Sequence, residues 1–271
     1  MPRTLRTTPQ LFVFTYHKVG TLLFAKLLSQ IARSAGLKHR TIVGLALAED
    51  THDADIVLFA HSLVGFDLGV CNFNGVRMVR DPRDVWVSGY LYHRHCDEAW
   101  CTNTDLRETG APILFPQVPR SQQHRSEAWK RDYLRSLGGK SYQANLQQLP
   151  KAQGLAFELD HYAGWTIDAM TGWTPHPAVK DVAMEDLSTR FDATMAGIFS
   201  HLGFNGDSLA RALEIARAED VARMSDTAIA ADPHIHSRQI SKWRDYLSAR
   251  DLDYFAERFP DIATDPSQRA K

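Results

Sequence analysis

Leu11–Leu28 reads LFVFTYHKVGTLLFAKLL, and the order of its parts decides the fold. A run of apolar strand residues meets a short turn carrying His17, Lys18 and Gly20, and an amphipathic helix begins at once. Val76–His93, VRMVRDPRDVWVSGYLYH, repeats the plan, with charge in place of glycine at the turn. A strand that runs directly into a helix leaves the first amides of that helix without intrahelical acceptors, which suits an anionic group. Two such turns in one chain predict a ligand with anionic groups at both ends.

The remaining pattern alternates strand and helix. Leu11–Thr15 reads as a buried central strand. The spacing of Leu22, Ala25, Leu28, Ile31, Ala32 and Ala35 predicts a helix over Thr21–Ala35 that Gly36 stops. Thr41–Leu45, Asp55–Ala60, Val76–Val79 and Val179–Ala183 read as further strands, and a helix follows Asp81-Pro82 through Tyr92. Residues 94–122 read as an irregular loop. Helices are expected over Ser126–Leu137, Tyr142–Leu149, near 189–202 and 207–217, and over Asp251–Phe259. Gly154–Leu159 reads as a short strand, with a helix from Leu155 to Met170 as the alternative; Ser225–Arg244 shows little periodicity. Alternation of this kind predicts an α/β, P-loop-like three-layer fold, a central parallel sheet flanked by helices.

Composition agrees with one globular domain over residues 1–271: 44% hydrophobic, 23% charged, and no linker-like stretch. A net charge of −1 argues against broad attraction to nucleic acid or to an anionic membrane, so an anionic ligand needs a local basic pocket. No apolar run suggests a signal peptide or an integral membrane segment. Cys71, Cys96 and Cys101 are a sparse, odd set that predicts reduced thiols in a cytoplasmic protein. Oligomeric state leaves no trace in the sequence.

The first turn is not a Walker A loop, which places lysine immediately before Ser or Thr; here Lys18 precedes Gly20 by two residues. Gly20 permits close backbone approach, the amides of Gly20 to Leu23 point outward at the helix start, and Lys18 adds a mobile point charge. In the second turn Arg80 can fork onto a phosphate while the Ser88 hydroxyl donates one helical stretch later. The plainer readings are a solvated lysine on an ordinary turn, and a surface ion network of Arg80, Asp81, Arg83 and Asp84.

These residues resemble a known family, the sulfotransferases that use 3′-phosphoadenosine 5′-phosphosulfate (PAPS). The family's K-x-G-T-T loop is similar to Lys18-Val19-Gly20-Thr21-Leu22, and its strand-R-x-x-x-D-x-x-x-S motif matches Arg80, Asp84 and Ser88. Met184-Glu185-Asp186-Leu187 resembles a late strand-end turn, and Arg238-Gln239-Ile240-Ser241-Lys242-Trp243-Arg244 resembles the segment that closes over the nucleotide. The resemblance implies that Lys18, Val19, Gly20, Thr21, Leu22 and Leu23 hold the 5′-phosphosulfate. It implies Arg80 and Ser88 at the 3′-phosphate, with Arg238, Lys242 and Trp243 in the closing segment. Leu22 departs from the family's second threonine, Met184 from an aromatic, and Phe59 from a lysine.

The resemblance also implies a general base after the strand that precedes the Arg80 strand, and His61 occupies that place. His17 is its rival, and Asp97, Glu98 and Glu158 are weaker candidates. A histidine suits proton abstraction near neutral pH. The implied reaction is in-line transfer of a sulfuryl group to a hydroxyl acceptor, releasing 3′,5′-ADP (PAP), with Lys18 stabilising the departing oxygen and no metal required. The acceptor expected is a carbohydrate or glycolipid; a small alcohol or phenol is the alternative. A P-loop nucleotide kinase or an inactive nucleotide-binding protein are more distant readings. His93, His95, Cys96 and Cys101 lie close together but match no common zinc spacing, so a structural or substrate-loop role is expected there.

Overall fold

The computed structural model describes residues 8–104, 126–231 and 239–264. They fall into two compact units, Met1–Arg80 with Ala169–Ile240, and Asp81–Asp168 with Ser241–Lys271.

The first unit is built on five parallel strands: β1 (Gln10–Phe14), β2 (His39–Ile42), β3 (Ile56–Phe59), β4 (Phe73–Val79) and β5 (Val179–Ala183). Their order is β2-β3-β1-β4-β5, with helices flanking the sheet, the α/β arrangement expected from the sequence. β1 is central: Val13 pairs with Leu58 on one side and Val76 on the other. Strands covered on both faces need apolar side chains at nearly every position, and LFVF and IVLF provide them. Phe12 stacks on Phe73 with centroids 4.6 Å apart, and Phe14 on Phe59 at 4.8 Å. Each such pair contributes about 0.5–1.5 kcal/mol beyond its area burial.

α1 (Thr21–Ala35) has the bounds its spacing predicts. It buries Phe24, Leu27, Leu28, Ile31 and Ala32, and Gly36 ends it in a left-handed conformation, φ 66°, with its N–H on the Ala32 carbonyl. β2 differs from expectation, lying two residues earlier than Thr41–Leu45. It is an edge strand with Arg40 and Thr41 exposed, so its register comes from pairing with β3 rather than from apolar alternation. β4 begins three residues before the expected Val76, because Gly75 lets it pass beside Val179 of β5: a Cβ there would lie 3.0 Å from the Val179 side chain.

The second unit opens with α2 (Pro82–His93). Asp81 caps it by accepting the Arg83 N–H at 2.9 Å, and Pro82 takes the first helical position, where its missing N–H is not needed. α3 (Ala99–Thr102) is a single turn inside the stretch read as irregular; residues 105–125 lie outside those described. Helices follow at Glu127–Ser136 and Tyr142–Gln148. The short strand expected at Gly154–Leu159 is instead helix. Lys151–Glu158 passes through a π-helical turn, Leu159–Ala163, into Gly164–Thr171, close to the helical alternative. Gly154 is there for contact, since a Cβ would lie 2.9 Å from the Tyr90 ring, and the Trp86 indole N–H reaches the Leu155 carbonyl at 2.7 Å. Ala249–Arg258 forms the expected late helix. No helix among the described residues is long and apolar enough to cross a membrane.

Candidate functional site

The turn after β1 is held from three sides within the first unit. Gly20, φ 81°, precedes α1, and the first intrahelical bond runs from Phe24 N–H to its carbonyl at 3.0 Å, so the amides of Thr21, Leu22 and Leu23 lie ahead of the ladder. The Thr21 hydroxyl points back into the fold. It donates to the carbonyls of Tyr16 (3.0 Å) and Ala60 (3.2 Å) and lies 3.0 Å from the Thr15 hydroxyl. Ser62 donates to the Thr15 carbonyl at 2.7 Å. These bonds fix the start of α1 to the end of β3, which also carries His61. Thr21 therefore presents its backbone amide, not its hydroxyl, at the turn.

Lys18 sits at φ 61°, a left-handed conformation that costs a side-chain-bearing residue about 1–2 kcal/mol. The compensating contact is Arg80, at the end of β4, which donates from Nη1 to the Lys18 carbonyl at 2.9 Å. Residues 62 positions apart in sequence, from the two turns singled out above, thus meet through a main-chain oxygen. Val19 is buried beneath the turn, its N–H on the Tyr16 carbonyl at 2.9 Å, while Leu22 is 45% exposed at the helix start. Met184 lies against the same turn: a Cβ on Gly20 would meet its sulfur at 3.0 Å. His17 and His61, the two candidate bases, face each other with ring centroids 6.5 Å apart and planes within 20°.

Sequence reasoning missed Arg77. Set in β4 beside its register partner Asp181 on β5, it binds both carboxylate oxygens and donates to the Met170 carbonyl at 2.9 Å. Its guanidinium lies 5.3 Å from the Trp173 ring. Burial works to lower the Arg77 pKa, but Asp181 and Tyr16 raise it overall; Tyr16, buried under the turn, is itself raised by desolvation. An arginine inside an otherwise apolar strand, and an aspartate in the late strand VKDVA, were the available signal.

In the second unit Asp84, 1% exposed, accepts the amides of Ser241 and Trp243, each at 3.0 Å. The aspartate of the R-x-x-x-D-x-x-x-S pattern is therefore the anchor of the Ser241–Trp243 segment. Two guanidinium groups lie over the Trp243 ring, Arg83 at 3.8 Å and Arg244 at 4.5 Å from its centre. Arg83 is oriented by a two-pronged ion pair with Asp81. Ser88 and Lys242 are buried at 4% and 7% exposure, and Arg238 lies outside the described residues.

The metal-like cluster near the end of α2 resolves differently. His93 is fully buried, its Nδ1 3.0 Å from both oxygens of Glu158, and Tyr142 donates to Glu158 at 2.9 Å. Gly89 makes room for this carboxylate: a Cβ there would stand 2.5 Å from Glu158 Oε1. Glu98 is engaged by the Tyr92 hydroxyl (2.7 Å) and by the Trp100 indole. Among the described residues no three His, Cys, Asp or Glu side chains come together as a metal site. The donors gathered at the Gly20 turn are a lysine, an arginine and helix-start amides, a set suited to phosphate or sulfate oxygens.

A parallel sheet ordered 2-3-1-4-5, with a glycine-led helix directly after its central strand, is an α/β, P-loop-like arrangement. Among solved structures, the chain is similar to mouse sulfotransferase SULT7A1 complexed with PAP: TM-score 0.51, 14% identity, 98% of this chain and 88% of that one covered. At that identity the likeness establishes the fold. No family model and no curated protein matches the chain.

Proposed function

We propose that this protein is a PAPS-dependent sulfotransferase that moves the sulfuryl group to a hydroxyl acceptor, a carbohydrate or glycolipid. The observation that carries the reading is the hydrogen bond from Arg80 to the Lys18 carbonyl, which joins the two anion-binding turns into one basic locus. PAPS brings the transferable sulfuryl group and departs as PAP. Lys18 and the amides of Thr21, Leu22 and Leu23, led by Val19 and Gly20, receive the 5′ end. The remaining guanidinium donors of Arg80 receive the 3′-phosphate. Ser88, Arg238, Lys242 and Trp243 belong to the same assignment through the motif resemblance, each open to its own variant. Lys18 balances the charge that builds on the departing oxygen, aided by the positive end of α1. His61 takes the acceptor proton. A cytoplasmic site of action is part of the same proposal and rests on the sparse cysteine set.

PAP is expected to stabilise the protein by about 2.7 kcal/mol at a hundredfold excess over its Kd, read as a rise in the thermal midpoint, and 5′-AMP at equal concentration by much less. Equal shifts would remove the 3′-phosphate role from Arg80. Transfer is scored directly with isotopically labelled PAPS against sugar, glycolipid, alcohol and phenol acceptors. No transfer to any of them, with PAP still bound, would leave an inactive nucleotide-binding protein.

His61→Ala is expected to lower turnover roughly 10²–10⁴-fold while leaving PAP affinity unchanged. His17→Ala, measured beside it, is expected to have the smaller effect. If the His61 variant keeps full rate and the His17 variant does not, the proton passes to His17, the ring 6.5 Å away.

A further inference from the structure

Three hydroxyls stitch the turn after β3 to the turn after β1, and only that of Ser62 adjoins a candidate base in sequence. The Thr15 hydroxyl lies 3.3 Å from both the Phe59 and the Ala60 carbonyls, and the Thr21 hydroxyl also reaches Ala60. Both act on the chain ahead of His61. Ser62 acts just beyond it, donating to the Thr15 carbonyl at 2.7 Å across 47 positions of sequence. Its N–H closes a tight turn on the Phe59 carbonyl at 3.3 Å, which leaves Ala60 and His61 at the tip.

Ser62 holds this turn at φ 53°, a left-handed conformation that serine, with its Cβ, keeps only where a nearby contact compensates. The bond to Thr15 is that contact. His61 is thus bracketed, with Ala60 pinned by its N–H to the Ile42 carbonyl at 2.9 Å and Ser62 pinned by its hydroxyl. Thr15 is close in sequence to His17, so one hydrogen bond couples the two turns whose imidazoles face each other 6.5 Å apart.

We infer that Ser62 is the positioning residue for His61: its hydroxyl, held on the Thr15 carbonyl, fixes the left-handed turn that keeps the His61 ring facing His17. The inference rests on the sulfuryl-transfer reading for what the ring does there, which is to take the acceptor proton, but not for the contact itself. Ser62 acts through the imidazole alone. A misplacement of about 1 Å in a catalytic group costs roughly 10²-fold in rate, so a single hydroxyl at this place carries weight.

The test uses the full chain, with and without His61. Ser62→Ala keeps the Cβ and deletes the hydroxyl. Ser62→Gly deletes the hydroxyl and relieves the left-handed backbone as well, which keeps the question measurable if the alanine variant fails to fold. Both are expected to lower kcat roughly 10²-fold, with the PAPS KM and the thermal shift by PAP unchanged. In the His61→Ala background the same substitutions are expected to cost nothing further, because a residue that acts only through a missing ring has nothing left to position. Proton–nitrogen correlation spectra of the histidine rings, recorded without substrate, are expected to show His61 and His17 displaced in both variants. The ring of His201, whose Nε2 lies 3.2 Å from the Ala178 carbonyl, is expected to stay in place. Full turnover in Ser62→Gly, losses that multiply with those of His61→Ala, or unmoved His61 resonances would each overturn the inference. A native chain that transfers sulfuryl to no acceptor would instead remove the reading behind the proton role, and the ring resonances would still decide whether Ser62 holds His61.

Discussion

Lys18→Ala is expected to reduce sulfuryl turnover roughly 10²–10³-fold, the usual cost of removing one donor aimed at charge developing in a transition state. The fold should not change, for two reasons. Arg80 is bonded to the Lys18 carbonyl, not to its side chain, so the tie between the turns survives the substitution. Alanine also carries the same Cβ as lysine, so the left-handed backbone at φ 61° is neither eased nor worsened. Steady-state kinetics with labelled PAPS, beside thermal unfolding of both proteins, separates the two effects. The loss should fall on kcat more than on the PAPS KM, because the amides at the start of α1 remain to bind the ground state. Lys18→Arg should recover only part of the rate, since a planar fork does not reproduce a compact ammonium. Near-normal turnover in Lys18→Ala would end the proposed mechanism.

Glu158→Ala is expected to cost about 3–5 kcal/mol of stability. It removes the buried carboxylate that faces His93 Nδ1 and accepts from the Tyr142 hydroxyl, and it leaves both polar groups without that acceptor inside an aromatic cluster. His93 there is fully buried and packed by Tyr162 at 4.5 Å and Trp100 at 5.2 Å. For a chain of this size the thermal midpoint should fall by roughly 10 °C. Differential scanning fluorimetry reads it, and a shift under 2 °C, on the order of 0.5–1 kcal/mol, would show that the network is replaceable. Gly89→Ala should be damaging for the same reason, since its methyl would displace Glu158 Oε1.

The sheet was legible because its central strands must be apolar on both faces; LFVF and DIVLFA admit little else. The bounds of α1 were legible from the helical spacing and the glycine after it, but not all of its face: Phe24 and Leu27 are buried, whereas Leu22 and Ala35 of the expected face are exposed. β2 was not legible, since an edge strand with exposed Arg40 and Thr41 takes its position from its neighbour. The helix through Leu155, Leu159, Tyr162 and Ala163 carries its buried residues at helical spacing, but Gly154 reads locally as a break. Only the Tyr90 ring that fills the space above Gly154 explains it. At the candidate site residue type, spacing and the family resemblance together singled out Lys18, Gly20 and Arg80, and Arg80 does reach the Lys18 carbonyl. For Arg77 the sequence offered a charge inside a strand but not its partner, Asp181, 104 residues later, and it gave no sign of the inward turn of the Thr21 hydroxyl, which depends on the end of β3.

The Asp84 carboxylate receives its two amides from residues 157 and 159 positions further along the chain. During synthesis on a ribosome, α2 is therefore complete long before its desolvated anion meets the donors it is shaped for. Until Ser241 and Trp243 emerge, that helix must keep Asp84 in water, so its burial is among the last events of biogenesis. A chain released after residue 184 but before residue 241 would carry the strands and the Met184 that frame the Gly20 turn, yet leave Asp84 without the two amides that bond it.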